Sequence, residues 1–95
     1  MIVCAGIVIA DVVARPVVTL PERGQLALVD HISMEPGGSA ANTGAQLVKL
    51  RKRVRVMSRV GRDNLGGVLR SELTRLGRDT ADLHEGAEPT SATVV

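Results

Sequence analysis

The opening of the chain constrains it most. Ile2 to Ile9 is a near-continuous apolar run rich in β-branched residues, and Asp11 follows almost at once. That length and composition predict a strand buried on both faces, as in a parallel sheet. The run has no basic residues ahead of it and falls well short of the roughly 20 apolar residues of a spanning helix. It therefore reads as neither a signal nor a membrane anchor.

Downstream, the chain is punctuated at regular intervals. Arg15-Pro16 and Leu20-Pro21-Glu22-Arg23-Gly24 read as turns, and Leu26 to Met34 as a half-exposed strand or hairpin arm. Pro36-Gly37-Gly38 breaks the chain again. Ser39 to Leu50 is then small or helix-forming, with Ala41, Ala45 and Val48 at helical intervals. Val54 to Val60 predicts a short strand, and Asp63 an N-cap for the next helix. Over Asn64 to Leu76, the residues Leu65, Val68, Leu69, Leu73 and Leu76 fall within an arc of roughly 140°. Glu72 falls inside the same arc, and Gly77 is placed to stop the helix. Thr93-Val94-Val95 starts another β-like run. Strands alternating with helices predict an α/β fold with a parallel sheet, into which the hairpin after the first strand is inserted.

Composition narrows the function classes. The 95 residues include no Phe, Tyr or Trp, so the core is aliphatic and its stability reserve small. The formal net charge is only +2, too little to argue for nucleic acid. Lys49, Arg51, Lys52, Arg53 and Arg55 form a basic cluster, but no aromatic side chain interleaves to stack on bases. The cluster reads first as a solvated helix-to-strand turn, with an anionic-ligand contact as the minor alternative. The single Cys4 rules out an internal disulfide, reads as a small buried hydrophobe and fits a reducing, cytoplasmic setting. His31 and His84 are isolated, so no metal site is expected.

Two features carry chemistry. Asp11 would sit at the carboxyl end of the first strand, where open α/β sheets bind ligands. A carboxylate there can accept from two neighbouring hydroxyls of a polyol, although a turn-forming or helix-capping Asp explains it equally well. Gly37 and Gly38 can bring backbone close to a ligand, and Asn42, in the first helical turn, can both donate to and accept from a hydroxyl. Taken alone, this is also an ordinary strand-to-helix turn. Gly61-Arg62-Asp63-Asn64-Leu65-Gly66-Gly67 lacks the Lys and hydroxyl of a phosphate loop, and no G-x-G-x-x-G follows the first strand. A dinucleotide-binding domain is disfavoured accordingly.

The pieces combine in order. Gly6 and Asp11, Leu20-Pro21 and Gly24, and Gly37-Gly38-Ser39-Ala40-Ala41-Asn42-Thr43 come first. Val60-Gly61-Arg62-Asp63-Asn64-Leu65-Gly66, Leu76-Gly77-Arg78-Asp79-Thr80 and Pro89-Thr90-Ser91-Ala92-Thr93 follow. The series resembles the ribokinase-like (PfkB) carbohydrate kinase family along essentially the whole chain. The resemblance implies a Rossmann-like parallel sheet with a small β lid, incomplete here, with lid strands from Val12 to Val18 and Leu26 to Met34. It implies transfer of the ATP γ-phosphoryl group to a hydroxyl of a sugar or nucleoside, with Mg2+ serving the full-length family and neither group expected on this chain alone. Asp11, Gly37, Gly38 and Asn42 would hold the substrate hydroxyls, and a homodimer through the lid would fit the family.

The family's catalytic Asp lies in a Gly-Ala-Gly-Asp motif that does not occur in these residues. The resemblance therefore implies the substrate-binding, amino-terminal part of a kinase, without catalytic residues. The alternative is a non-catalytic remnant or interaction module that keeps the lid. In isolation such a part is expected to be inactive, and poorly stable or self-associating. Ile9 stands where ribokinases proper carry a sugar-contacting Asn, which argues against ribose. Arg51 stands where the family commonly has the Gly that ends the helix, which predicts a turn that is either strained in a left-handed conformation or differently shaped.

Overall fold

The computed structural model describes all residues from Met1 to Val95. Two sheets and two helices alternate in the order β1 (Ile2–Ala5), β2 (Ile9–Arg15), β3 (His31–Gly37), α1 (Ser39–Lys49), β4 (Val54–Gly61), α2 (Asn64–Arg75), β5 (Arg78–Asp79), β6 (Leu83–Gly86) and β7 (Ala92–Val94). β4 is the axis of the parallel sheet. β1 pairs along one edge of it from Ile2↔Val54 to Ala5↔Met57. On the other edge β5 pairs with its beginning and β6 with its end, also parallel. β2, β3 and β7 make a separate three-stranded sheet in the order β3-β2-β7. No helix is long and apolar enough to cross a membrane.

The opening apolar run is thus two strands rather than one. The chain turns after Ala5, where the Gly6 N–H donates to the Met57 carbonyl at 3.1 Å, and Ile9 begins the second sheet. Periodicity cannot reveal such a division, because both halves are apolar and β-branched. Nor is β1 buried on both faces: Cys4 is buried, whereas Ile2 and Val3 are exposed. The strands after the first turn are also shifted from their expected spans. β2 covers residues 9–15 and β3 starts only at His31. Leu26 and Leu28 are almost fully exposed and form no strand. Pro36-Gly37 ends a strand instead of interrupting the chain before a helix. The run at Thr93 is a strand, but it lies parallel to β2 in the second sheet, from Ala10↔Ala92 to Val12↔Val94.

Other local readings hold. α1, β4 and α2 lie within a residue or two of their predicted spans. Asp63 caps α2 by accepting from the Gly66 N–H at 2.9 Å. Gly77 follows α2 at φ 90, and Arg51 follows α1 at φ 61, a left-handed conformation without glycine. Such a residue costs roughly 1–2 kcal/mol relative to glycine. Lys49, Arg51, Lys52 and Arg53 are exposed, as a solvated turn requires. Arg55 is turned back instead, pairing with Asp79 at 3.0 Å and Asp82 at 3.4 Å and so tying β4 to the β5–β6 turn.

The core is aliphatic throughout. Leu69, Leu73, Val54 and Val56 are its largest fully buried side chains, and Ala40 and Ala41 bring α1 close to the sheet. Of the predicted helix face, Leu69 and Leu73 are buried and Leu65 packs against the cluster, but Val68 and Leu76 are exposed. Glu72 sits within the arc because it pairs with Arg75 one turn on, at 2.8 Å, so its charge is met on the helix itself.

Candidate functional site

Asp11 is not at the end of a buried strand. It lies in the middle of β2, opposite Glu35 of β3 on one side and Thr93 of β7 on the other. Residues directly opposite each other share a face, so these three side chains belong to one face of the three-stranded sheet. The Thr93 hydroxyl donates to the Asp11 Oδ1 oxygen. Oδ2 lies across Gly37: a Cβ built there would stand 2.3 Å from it, so any side chain at 37 would displace the carboxylate.

Gly38 opens α1 at φ 89 and offers no side-chain cap. A Cβ at this position would stand 2.4 Å from the Ile7 carbonyl oxygen. Glycine is therefore required twice over, by conformation and by space. The Ile7 carbonyl accepts from the Ala40 N–H at 3.1 Å, which clamps the Gly6–Val8 turn to the helix start. The Asn42 N–H donates to the Gly38 carbonyl at 2.9 Å, placing Asn42 in the first turn with an exposed side chain. The structure thus joins Asp11, Gly37 and Gly38 directly. Asn42 is tied to them through one backbone bond, and its side chain lines a neighbouring cleft of about 480 Å³ that does not include Asp11.

Two residues escaped the sequence reading. Thr93 orients Asp11, and the place of Pro89-to-Thr93 in the motif series was the available signal. Thr90 is the other: its hydroxyl donates to Asp63 Oδ1 at 2.5 Å and accepts from the Gly61 N–H at 2.8 Å. Its own N–H donates to Asp63 Oδ2 at 2.9 Å. The Thr90 hydroxyl first, then the Thr90 and Gly66 amides, hold the Asp63 carboxyl below the usual carboxylate range. This latch pins the segment leading into β7 to the β4–α2 turn, and so holds Thr93 beside Asp11.

A family model described as "pfkB family carbohydrate kinase" matches residues 1–95. The chain belongs to the pfkB carbohydrate kinase family. Its fold agrees with solved members. An uncharacterized sugar kinase from Pyrococcus horikoshii matches all of the chain at 26% identity and TM-score 0.76, the chain covering 31% of that structure. Fructokinase from Vibrio cholerae O395 matches 99% of it at 27% identity and TM-score 0.74, with 28% of the fructokinase covered. Aminoimidazole riboside kinase from Salmonella enterica matches 99% at 22% identity and TM-score 0.73, again with 28% covered, and shows likeness of fold. The chain thus spans about a third of the length of the kinases it matches. A search of curated proteins gives no match.

Within these 95 residues no group of three or more His, Cys, Asp or Glu side chains converges as metal ligands. The β4–α2 turn also has neither the Lys nor the hydroxyl of a phosphate loop.

Proposed function

We propose that the chain is the substrate-binding part of an ATP-dependent kinase that phosphorylates a hydroxyl of a sugar or nucleoside. The observation that carries the reading is the Asp11 carboxylate, oriented by Thr93 and packed across a Gly37 that has no room for a side chain. In the proposed role Asp11 accepts from substrate hydroxyls. The Gly37-Gly38 backbone lets the ligand approach closely, and the Asn42 amide donates to or accepts from a further hydroxyl. Substrate hydroxyls are thereby fixed before chemistry, which is the contribution positioning makes to phosphoryl transfer. The acceptor pair of a carboxylate suits vicinal hydroxyls of a neutral ligand better than an anion. The related structures run from a fructokinase to an aminoimidazole riboside kinase, so the proposed substrate class covers both sugars and nucleosides.

A chimera tests this reading. Residues 1–95 replace the corresponding part of the Vibrio cholerae fructokinase, and the product is assayed with ATP against a panel of sugars and nucleosides. The chimera should phosphorylate at least one of them. Asp11→Ala should then lower kcat/KM about tenfold or more, as expected for losing a charge-assisted hydrogen bond of about 1.5–3 kcal/mol. A folded, ATP-binding chimera whose turnover ignores Asp11→Ala defeats the assignment.

A further inference from the structure

The sequence marks Arg78 only as part of the turn after α2, yet the structure buries it. Arg78 is 5% exposed, less than almost any other charged side chain is expected to be without a partner. It has no carboxylate within ion-pairing distance, and its Nε–H is buried without an acceptor. Burial pushes the guanidinium below its ordinary range, with no opposing charge to restore it. An unpaired buried cation is costly. Yet the fold makes room for it: the Arg78 side chain runs over Gly44 of α1, where a Cβ would stand 3.1 Å from its Cδ and 3.3 Å from Val54 Cγ1.

Arg78 is one of the residues that line the cleft of about 480 Å³ between β3, α1 and α2. The other charges facing that cleft are Lys49, Arg75, Glu35 and Glu72. Arg75 and Glu72 hold each other, with Arg75 Nη2 2.8 Å and Nε 3.2 Å from the two Glu72 oxygens. Among the cations of the cleft, Arg78 is the buried one left open. The remaining wall is largely aliphatic, supplied by Met34, Pro36, Ala45, Val48 and Leu76. A planar guanidinium matches a carboxylate in a two-bond fork. The aliphatic walls suit the hydrocarbon body of an organic acid, which inorganic phosphate does not have.

We propose that the cleft between β3, α1 and α2 is a binding site for a small aliphatic carboxylate, held by Arg78 and admitted by Gly44. The site does not include Asp11 but adjoins its cluster through Glu35, and its ligand is distinct from the neutral hydroxyl-bearing substrate proposed there. Asn42 lines the cleft while belonging to the first turn of α1, so an occupied cleft touches an element of the proposed substrate site.

The test is titration of the 95-residue chain with sodium hexanoate, with hexanamide and inorganic phosphate as controls. Binding is followed by calorimetry and by the arginine Nε–Hε resonances in NMR spectra. Hexanoate should bind saturably, move one arginine resonance that Arg78→Lys removes, and raise the melting temperature. Hexanamide should do none of these. Arg78→Lys should weaken hexanoate tenfold or more, and Gly44→Ala should weaken it several-fold by crowding the arginine stem. Arg78→Met should abolish binding while raising the melting temperature of the free chain, because it removes an unpaired buried charge at similar volume. Three results overturn the proposal: equal binding of hexanoate and hexanamide, binding of phosphate alone, or hexanoate binding that survives Arg78→Met. A free-chain melting temperature that falls sharply in both Arg78→Met and Arg78→Lys also overturns it, since it would mean that Arg78 already has an internal partner.

Discussion

Replacing Thr90 by Val keeps the volume and removes one hydroxyl from the latch that joins the segment before β7 to the β4–α2 turn. Two interactions are lost. The bond from the hydroxyl to Asp63 contributes little to the cost, because that carboxylate is exposed and water takes the vacated place. The Gly61 N–H is different. Gly61 and Thr90 are both buried, the N–H donates to the Thr90 oxygen at 2.8 Å, and no water can replace a methyl group there. Leaving a buried amide without its acceptor costs about 1–3 kcal/mol. A value of about 2 kcal/mol corresponds to a fall of roughly 8–16 °C in Tm for a domain of this size. The Gly61 amide should also exchange with solvent about 30-fold faster if its protection tracks that stability. Thermal unfolding followed by circular dichroism gives the first number and amide hydrogen exchange the second. A Tm within about 2 °C of the parent, with Gly61 still protected, would refute the reasoning. It would mean that Asp63 and the Thr90 backbone alone hold the latch.

Three further outcomes are expected. Gly37→Ala should raise the substrate KM of the chimera about tenfold with little change in Tm, because its Cβ displaces the Asp11 carboxylate; an unchanged KM in steady-state kinetics speaks against the packing described. Leu73→Ala should cost about 2–5 kcal/mol in denaturant unfolding, since Leu73 is fully buried in the core, and a cost under 1 kcal/mol would contradict that burial. Asp63 and Asp79 both have carboxyls held below their ordinary range, Asp63 chiefly by Thr90 and Asp79 chiefly by the Ala81 N–H. Protons therefore bind the unfolded chain first. The stabilisation is complete above about pH 4 and is lost as the pH falls through the depressed values. Thermal melts from pH 7 to pH 2 should show that decline flattened in Asp63→Asn, and a parallel decline in both proteins would contradict it.

What could be read from sequence followed from local rules. The two helices, β4, the Asp63 cap and the helix stop at Gly77 all depend on residues within a few positions of one another. The division of Ile2–Ile9 between two sheets did not follow, because nothing in an apolar β-branched run says which partner each half finds. The true place of Asp11 was hidden for the same reason: its neighbours Glu35 and Thr93 lie 24 and 82 residues away. The ordered motif series reached the family despite this. It did so because the glycines at 37 and 38 are set by close approaches that leave a fixed trace in sequence. The burial of Arg78 left no such trace, since its partner in space is the absent side chain of Gly44.

The central claim is that Asp11 with the Gly37-Gly38 backbone, and Asn42 beside them, bind one neutral polyhydroxyl ligand. Titration of the 15N-labelled chain with fructose, ribose, aminoimidazole riboside and adenosine, followed amide by amide, tests it most directly. The account predicts saturable shifts from at least one of these, centred on Asp11, Gly37, Gly38, Asn42 and Thr93, and erased by Asp11→Ala. Shifts that persist unchanged in Asp11→Ala, or that gather elsewhere on the chain, would contradict it.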